Sequence, residues 1–434
     1  MKLMDSHKNE PRAEVVQDVK NYPALVRHGA GVFSEFIGSI PGSVAPLMLG
    51  IWNADDLDHN DVIFEPETDE VKYIISDGAE YLDCVSEYSA AMFGHSNPKI
   101  LAAIQEAMNR GINLGGPGND EVALAHSIKD RFRSIAKVRF CNSGSEANTM
   151  ALALATHVTK KKKILAFENG YHGGFIQFDS NPSPTTIPHD FVLGRFNDIE
   201  YTRSLLSDEI AAIIVEPMQG AGGVSVATKA FLQFLRDAAT KHKALLIFDE
   251  VVTSRLHING LQGYFEVYPD LTTLGKYIGG GPSFGAFGGL VEVMEALDPK
   301  HSSPIHHSGT YNNNVFTMAA GVAAAKILTK EKISKANSLG DKVRDGINSA
   351  MKDYNTQLIE ASGMGSMVGV RFSGPAQARL RDCLFFYMLS RGVYMGKRGF
   401  VSLNLTHEEK HIDQLLDSFY AFAQEVFGNC KWMK

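Results

Sequence analysis

The sequence predicts an α/β protein built around a mostly parallel sheet. Three short apolar runs, Ile164–Phe167, Ala211–Val215 and Ala244–Phe248, each end at a polar residue. Strands that are apolar on both faces are typical of a sheet covered by helices on both sides. A stretch with helical spacing, Thr228–His242, separates the last two runs. This alternation of buried strands and helices indicates parallel βαβ units.

Three further stretches with helical spacing precede these strands. Apolar residues recur every three to four positions in Pro98–Arg110, Asp120–Phe132 and Glu146–Thr159, which predicts three amphipathic helices. Pro98 suits the first turn of a helix, where its missing N–H is not needed. A strand-like run, Val138–Cys141, directly precedes the third helix.

The C-terminal third has a different pattern. Gly365–Phe372 is strand-like, whereas Gln377–Arg391 and Glu408–Phe427 have helical spacing, which indicates a smaller α+β domain. A chain of 434 residues is long enough for two or three domains. We expect an N-terminal segment that contributes to the small domain, a large central domain and a C-terminal small domain, with bounds at 1–97, 98–330 and 331–434.

Composition and charge argue against several classes of partner. The formal net charge is −7, and no apolar run approaches the roughly 20 residues that cross a bilayer. We therefore expect neither nucleic-acid nor membrane binding, and no metal site. The N-terminus lacks an apolar signal core, and the four cysteines show no CxxC spacing, which favours a reduced, cytoplasmic protein. These cysteines are Cys84, Cys141, Cys383 and Cys430.

The first motif that bears on chemistry is Asn142-Ser143-Gly144-Ser145-Glu146, between a predicted strand and a predicted helix. Free N–H groups and the positive end of the helix dipole attract phosphate at such a position, and small hydroxyl side chains add donors. An ordinary helix N-cap, with a serine followed by a glutamate, fits the same residues. The central three residues are therefore candidate phosphate ligands.

The second motif is a pair of carboxylates, Asp249 and Glu250, at the end of an apolar strand. Open α/β sheets bind their ligands at the carboxyl ends of strands. An aspartate there can keep a pyridinium nitrogen protonated, because opposite charges stabilise each other in a site of low dielectric constant. A carboxylate that only caps the next turn fits the pattern equally well.

The third motif is Lys276, which lies among glycines and apolar residues with no acid in the stretch Thr272–Gly281. A desolvated lysine has a lowered pKa and becomes a nucleophile for an aldehyde. The glycines that follow let the backbone approach a bulky cofactor. A surface lysine beside a flexible loop is the alternative. Asp249 precedes Lys276 by 27 residues, so the order is phosphate site, ring-nitrogen acid and Schiff-base lysine.

In this order the motifs resemble the class III, fold-type I aminotransferases, which depend on pyridoxal 5′-phosphate (PLP). Within that family the chain is most similar to β-amino-acid (β-phenylalanine type) aminotransferases and glutamate-1-semialdehyde aminomutases. The resemblance runs from about Tyr81 to Leu405 and includes EYSAAMFGHSNP, FCNSGSEAN, GYHGG, VEPMQGAGG, DEVVTSR and HSGTYNNN. The run TTLGKYIGGGPSFGAFGG is more like the β-amino-acid aminotransferases. The resemblance implies a large domain with a mostly parallel seven-stranded sheet and a smaller α+β domain.

The resemblance also implies a set of cofactor-binding residues. Lys276 would hold PLP as a Schiff base and act as the catalytic base and acid, and Asp249 would pair with the ring nitrogen. An aromatic ring suits the flat pyridine as a stacking partner, and this is the role implied for Tyr171. The full set implied is Ser143, Gly144, Ser145, Tyr171, Glu216, Met218, Asp249, Lys276 and Thr310.

Three further residues of the matched motifs have roles in subunit contact or hydrogen bonding. Thr310, in SGTYNNN, matches the threonine that reaches the phosphate of the neighbouring subunit, which implies a homodimer with shared active sites. Glu216 can hydrogen-bond near the cofactor oxygen or Asp249, or it can cap a strand end. His172 is interpreted as a structural hydrogen-bond partner.

The N-terminal segment departs from the family pattern. β-Amino-acid aminotransferases of this type hold a substrate carboxylate with an arginine soon after a Pro-Gly pair. This chain has Pro41-Gly42, but no lysine or arginine occurs between Arg27 and Lys72. Because a bidentate carboxylate clamp requires arginine, we expect an apolar pocket there. Its candidate lining residues are Val44, Leu47, Met48 and Trp52.

A second family arginine is present. Arg398, in Gly396-Lys397-Arg398-Gly399-Phe400, matches an arginine that can bind the carboxylate of a keto acid. A structural surface arginine is the alternative.

These observations predict a PLP-dependent aminotransferase that moves an amino group from an amine or β-amino acid to a keto acid by a ping-pong mechanism. An intramolecular 2,1-aminomutase of the glutamate-1-semialdehyde type is the first alternative, and it would need no separate acceptor. A non-catalytic PLP-binding protein is the second, and the intact set of Lys276, Asp249 and Ser143 argues against it.

Overall fold

A computed structural model of the chain describes residues 65–66, 72–74, 80–112, 116–179 and 181–428. The strands are β1 Glu65–Pro66, β2 Lys72–Ile74, β3 Glu80–Asp83, β4 Lys137–Cys141, β5 Lys163–Phe167, β6 Asp190–Gly194, β7 Ile210–Val215, β8 Met218–Gln219, β9 Ser225–Val226, β10 Leu245–Asp249, β11 Leu271–Gly275, β12 Gly285–Gly289, β13 Ile359–Met364, β14 Met367–Phe372, β15 Val393–Tyr394 and β16 Phe400–Ser402.

The α-helices are α1 Pro98–Asn109, α2 Asn119–Arg131, α3 Gly144–Thr159, α4 Ile199–Ser204, α5 Lys229–Lys241, α6 Gly260–Phe265, α7 Val291–Met294, α8 Val315–Ile327, α9 Lys330–Asp353, α10 Gln377–Ser390 and α11 Glu409–Ala423. Short 3₁₀ helices include Thr253–Leu256 and Lys276–Gly279, and a π-helical turn, Gln424–Gly428, follows α11. Within the described ranges, no helix is both long enough and apolar enough to cross a membrane.

A seven-stranded sheet forms the centre of the molecule, in the order β4-β12-β11-β10-β7-β5-β6. Only β12 runs antiparallel to its neighbours; the other pairs are parallel. The prediction of a mostly parallel seven-stranded sheet is confirmed. The predicted helices and apolar strands from Pro98 to Phe248 lie within two residues of the observed ones.

The central sheet is buried on both faces, as the apolar runs indicate. Successive residues of a strand point to opposite faces. Ile164 and Ile214 accordingly pack in one core with Ala151 of α3. Their neighbours Leu165 and Ile213 pack in another core, against helix α5. Two separate cores thus hold the sheet between helical layers.

Three strands of the sheet, β6, β11 and β12, are absent from the sequence prediction. Strand β12 reads Gly-Ala-Phe-Gly-Gly and has little of the residue composition typical of strands. Its glycines are needed for close approach, since a Cβ at Gly285 would lie 2.1 Å from the Ser143 carbonyl oxygen and one at Gly289 would lie 2.1 Å from that of Asp270. Backbone proximity explains a strand that composition does not predict.

The C-terminal region forms a three-stranded antiparallel sheet, β13-β14-β16, packed against α9, α10 and α11. The prediction of one strand over Gly365–Phe372 is wrong at its start. Gly365 has φ +53° and begins a two-residue turn between β13 and β14, so the second strand starts at Met367. A glycine fits this left-handed position without steric strain.

The N-terminal segment joins this smaller region. Strand β3 pairs in parallel with β15, and Leu82 belongs to the same core as α9 and α11. Strands β1, β2, β3 and β15 form a four-stranded sheet. The division at 1–97, 98–330 and 331–434 remains a prediction.

Candidate active site

The order of the strands brings the second and third motifs together. Asp249 ends β10, and it pairs in parallel register with Thr273 of β11. Lys276 follows directly after the end of β11 and opens a 3₁₀ helix. Because both strands end at the same edge of the sheet, Asp249 and Lys276 lie at one ligand-binding edge, as expected for an open α/β sheet.

The phosphate-binding motif meets the same edge. A Cβ at Gly144 would lie 2.8 Å from the side chain of Val251, two residues after Asp249. A Cβ at Gly275, directly before Lys276, would lie 3.4 Å from the Gly144 backbone nitrogen. All three motifs therefore form one site.

Asp249 is held by three hydrogen-bond donors. Its Oδ2 accepts from Asn148 Nδ2 at 2.8 Å and from His172 Nδ1 at 2.8 Å, and its Oδ1 accepts from the Val251 N–H at 3.0 Å. Asp249 is only 4% exposed. These donors fix the position of the buried carboxylate.

His172 responds to its aspartate partner. Burial lowers the pKa of the imidazole, but the hydrogen bond to Asp249 and the charges of Asp249 and Glu216 outweigh this, so the pKa of His172 is raised. His172 forms a hydrogen bond, as expected, and its partner is the candidate ring-nitrogen acid.

Lys276 is partly buried, and burial lowers the pKa of its amine. The negative charges of Asp249 and Glu216 oppose this shift, and the positive charge of Arg255 adds to it. Its backbone has φ +54°, a left-handed conformation that is uncommon for a residue with a side chain. Such backbone strain clusters at functional sites, and a lysine with a lowered pKa is a candidate nucleophile.

Helix α3 begins with free backbone donors. The Ser143 side chain accepts from the Glu146 N–H at 3.1 Å, and the Ser143 carbonyl accepts from the Ala147 N–H at 3.0 Å. Helix geometry leaves the N–H groups of Gly144 and Ser145 without an intrahelical acceptor. Ser143 is thus an N-cap, and the same helix start presents two N–H groups that can bind an anion.

Glu216 accepts hydrogen bonds from the backbone of two loops beside the site. Its Oε1 accepts from the Tyr171 N–H at 2.9 Å and its Oε2 from the Gly220 N–H at 3.0 Å. Burial and the charge of Asp249 raise the pKa of this carboxyl to about 7, against the opposing effect of His172. Its described hydrogen bonds go to backbone rather than to Asp249. Met218 is fully buried in a core under this corner.

The other acid of the second motif, Glu250, has a structural role. It is fully buried and accepts from the N–H groups of Leu261 at 2.8 Å and Gln262 at 2.9 Å, in the first turn of α6. The Thr253 hydroxyl donates to it at 2.9 Å. The turn-capping interpretation therefore holds for Glu250.

The ring of Tyr171 lies on the open side of the site, where the residue is 46% exposed. Burial of part of the ring raises the pKa of its phenol, and the positive charge of Arg398 lowers it. Arg398 has the same lowering effect on the pKa of Tyr88, which burial raises. Arg398 is exposed and forms no ion pair with another described residue. It is a cation near Tyr171 that can bind a ligand carboxylate.

Thr310 is exposed on a loop beside the phosphate-binding motif. Two residues on, Asn312 Oδ1 accepts from Asn142 Nδ2 at 2.9 Å, which ties this loop to the start of the motif. The expected substrate-pocket residues Val44 and Trp52 lie outside the described residues.

Two residues of the site, Asn148 and Tyr88, are not among those that the sequence predicts. Asn148 contacts Asp249, and its place one turn inside the helix of the first motif was an available signal. Tyr88 stacks on Phe400 with ring centroids 5.7 Å apart, close to Arg398. Its pairing with a residue over 300 positions later leaves no local signal in the sequence.

Comparison with known proteins identifies the family. The model of the family "Aminotransferase class-III" matches residues 55–187 and 182–422. This chain belongs to the class-III aminotransferases. Like the family, it is a PLP-dependent transaminase.

Individual relatives agree with this assignment. The aminotransferase is 44% identical over 361 residues to a β-phenylalanine transaminase of Variovorax paradoxus, covering 80% of this chain and 83% of the relative. The crystal structure of a β-phenylalanine aminotransferase from Variovorax paradoxus superposes with a TM-score of 0.84 at 38% identity, covering 95% of this chain and 96% of the other. A glutamate-1-semialdehyde 2,1-aminomutase of Bacillus licheniformis is 37% identical over 379 residues, covering 81% and 87%.

The donor set of the site fits PLP. The aminotransferase offers a desolvated amine at Lys276 for the aldehyde. It offers a buried carboxylate at Asp249 for the ring nitrogen. The start of α3 offers free N–H groups for the phosphate. These are the chemical partners that the three functional groups of the cofactor require.

Proposed function

We propose that this aminotransferase moves an amino group from an amine or β-amino acid to a keto acid, with Lys276 as the catalytic base. The observation that carries the proposal is the meeting of three groups at one sheet edge: a lysine with a lowered pKa, a buried carboxylate and a helix start with free donors. An exposed arginine near this edge supplies a site for the acceptor carboxylate.

Each end of the cofactor has a partner in this proposal. When bound, PLP supplies an aldehyde that condenses with amines and a cationic ring that withdraws electrons. Lys276 would hold the aldehyde carbon, and Asp249 would hold the proton on the ring nitrogen. The N–H groups of Gly144 and Ser145 bind phosphate. Ser143 uses its oxygen as the N-cap acceptor, so its hydroxyl hydrogen remains to donate to the same phosphate.

The lowered pKa of Lys276 suits proton transfer. A general base acts in its neutral form, and burial lowers the pKa of the Lys276 amine, which favours that form. With cofactor and substrate bound, Lys276 would accept a proton from the substrate carbon as base and donate it again as acid. Three donors hold the Asp249 carboxylate in place.

The remaining contacts orient the ring. Tyr171 places its aromatic face against the pyridine, and Glu216 fixes the Tyr171 backbone through a 2.9 Å hydrogen bond. Met218 is fully buried in the core that also contains Val215. These residues position the cofactor without exchanging protons with the substrate.

The complete site requires two subunits in our proposal. Thr310 and Tyr311 are exposed in one chain, and Tyr311 is 59% exposed. We infer a homodimer in which Thr310 of each subunit hydrogen-bonds to the phosphate bound by the other. The exposure of these two residues supports this, because it leaves the loop accessible to a second subunit.

The donor preference follows from the sequence of the N-terminal segment. No lysine or arginine lies between Arg27 and Lys72, where related enzymes place a carboxylate clamp. A donor carboxylate would lose its hydration there without gaining a partner. An alkyl or aryl group would instead bury apolar surface, at roughly 25 cal/mol per Å². We propose that amines without a carboxylate compete well with β-amino acids.

A matched pair of donors tests this preference. β-Phenylalanine and 1-phenylethylamine carry the same amine and ring and differ by one carboxymethyl group in place of methyl. The donor half-reaction is followed by the visible absorbance change of the cofactor. We expect comparable rate constants for the two compounds. A strong preference for β-phenylalanine would contradict the proposal and would show that another residue supplies the missing cation.

The same assay separates the aminomutase alternative, which the Bacillus licheniformis relative supports. Pyruvate and 2-oxoglutarate are each added to the amine donor, and the ketone product is measured. Multiple turnovers only in the presence of a keto acid support intermolecular transfer. Two results together would favour the aminomutase. Glutamate-1-semialdehyde would be converted without an added acceptor, and no amine would be converted when a keto acid is added.

A further inference from the structure

We propose that Asn148 is a positioning residue that fixes the orientation of the Asp249 carboxylate. The inference rests on the proposed role of Asp249 as partner of the ring nitrogen. Asn148 is 1% exposed and lies one turn inside α3, the helix whose start forms the phosphate site. One short helix segment therefore contacts both ends of the proposed cofactor site.

The amide of Asn148 is itself held in one orientation. The Thr273 hydroxyl donates to Asn148 Oδ1 at 2.6 Å. The amide nitrogen on the other side then donates to Asp249 Oδ2 at 2.8 Å and to the His172 carbonyl at 3.1 Å. Both amide hydrogens are used, and a flipped amide would place its oxygen against the carboxylate. Thr273 thus selects the donating face that Asp249 needs.

The bonds of Asp249 leave one acceptor position open. Each carboxylate oxygen has two lone pairs. Asn148 and His172 use both on Oδ2, and the Val251 N–H uses one on Oδ1. Within the described part of the chain, the remaining position is on Oδ1. Asn148 therefore directs Oδ1 to accept the N–H of a bound ring.

The residue type is matched to this task. A neutral amide both accepts from Thr273 and donates to Asp249, and it adds no charge beside the carboxylate. An aspartate in its place would repel Asp249, and an apolar side chain would leave the buried Thr273 hydroxyl and one carboxylate lone pair unpaired.

The main variant is Asn148→Ala, in the purified full-length holoenzyme. The matched control is Asn348→Ala, since Asn348 donates to the Ala361 carbonyl at 2.9 Å and accepts from its N–H at 2.8 Å, far from the site. Hydrogen bonds to charged groups are the stronger class. We expect kcat to fall roughly 10- to 100-fold in Asn148→Ala, with KM changed by less than about threefold, and the dissociation constant for PLP to rise. Asn348→Ala should change thermal stability alone.

A second pair keeps the test valid if Asn148→Ala fails to fold. Thr273→Val is close to isosteric and removes the hydroxyl that orients the amide, while Thr273→Ser keeps it. Thr273→Val should lose kcat in the same direction as Asn148→Ala, and Thr273→Ser should stay close to wild type. Equal activity in Thr273→Val, Thr273→Ser and wild type would overturn the inference.

An N-methylated cofactor separates positioning from general packing. A methyl group on the ring nitrogen makes the ring permanently cationic, so no carboxylate is needed to retain a proton. If Asn148 acts through Asp249, the ratio of wild-type to Asn148→Ala activity becomes much smaller with N-methyl-PLP than with PLP. An unchanged ratio would show a structural role only and would overturn the inference. A wild-type protein that binds no PLP would overturn the proposed function as well.

Discussion

The inner and outer walls of the site differ in how far their polar groups are already paired. The inner wall consists of Asn148, His172, Glu216 and Asp249, which are between 1% and 5% exposed and hydrogen-bonded to each other or to nearby backbone. The outer wall consists of Tyr171, Thr310 and Arg398, which are exposed. Buried polar groups must be hydrogen-bonded within the protein, whereas exposed ones are free to bind a ligand.

The difference matches the two kinds of molecule that a transaminase binds. A resident cofactor needs an environment that is fixed before it arrives, and the inner wall is fixed by the fold of one chain. Substrates that enter and leave need groups that are free to bind them, and Arg398 has no ion pair among the described residues. We therefore expect inner-wall substitutions to affect every substrate equally and outer-wall substitutions to affect particular steps.

The largest effect should follow from Asp249→Asn, on the inner wall. A neutral amide cannot hold the proton on the ring nitrogen by charge, so electron withdrawal weakens. We expect kcat to fall roughly 10²–10³-fold, the range for loss of one preorganised electrostatic contact, with PLP still bound. Half-reaction rates for donor and acceptor should fall together. Asp341→Asn, at a carboxylate that pairs with Arg344 in α9, is the control. Near-wild-type turnover in Asp249→Asn would show that the Asp249 carboxylate is not needed for catalysis.

A more selective effect is expected for Arg398→Ala, on the outer wall. Breaking a charge pair that the bound substrate desolvates costs about 2–5 kcal/mol. The kcat/KM for a keto acid should fall by at least about 30-fold, while the donor half-reaction with 1-phenylethylamine changes little. Arg391→Ala removes an exposed arginine near Tyr387 and serves as the control. An equal fall in the rates of both half-reactions would contradict a specific role of the outer wall in binding the keto acid.

A smaller effect is expected for Thr310→Ala, which tests whether the outer wall spans two subunits. Loss of a hydrogen bond to phosphate weakens PLP binding by about 1.5–3 kcal/mol. Equilibrium dialysis measures the PLP dissociation constant, and sedimentation gives the oligomeric state. A fully active monomer at the assay concentration would contradict the shared site.

The smallest effect should come from Glu216→Gln, through pH. The pKa of Glu216 is raised to about 7 from an ordinary 4.5. Because the folded state holds this proton more tightly than the unfolded state, Glu216 contributes to the free energy of unfolding. The contribution is complete below pH 4.5 and is lost as the pH rises through 7. The wild type should therefore lose roughly 2–5 °C in Tm relative to Glu216→Gln between pH 5 and pH 8. A Tm difference that is constant with pH would show that Glu216 does not titrate in this range.

The sequence predicts strands of the central sheet because a strand that is buried on both faces consists of a continuous apolar run. Residues 164–167 and 211–215 are such runs, and both are strands in the structure. It predicts the order of the phosphate motif, Asp249 and Lys276, because each motif is local. Strand β12 is different, since its glycines are required by backbone contacts with Ser143 and Asp270 that only the folded sheet creates.

Local sequence patterns also do not predict the side-chain hydrogen bonds among the inner-wall residues. Asn148 and Asp249 are 101 positions apart, and Thr273 and Asn148 are 125 apart. Their contacts depend on β10 and β11 being neighbours and on α3 crossing their ends, neither of which a local pattern specifies. Glu250, beside Asp249, shows the same limit, because one acid of the pair caps a helix and the other faces the site.

The most direct test of the account is the identity of the lysine that binds PLP. The holoenzyme is reduced with borohydride, which fixes the cofactor irreversibly to its lysine, and the protein is digested and mapped by mass spectrometry. We expect a single modified peptide that carries the label on Lys276, and no label in Lys276→Ala. A label on any other lysine of the native enzyme would contradict it.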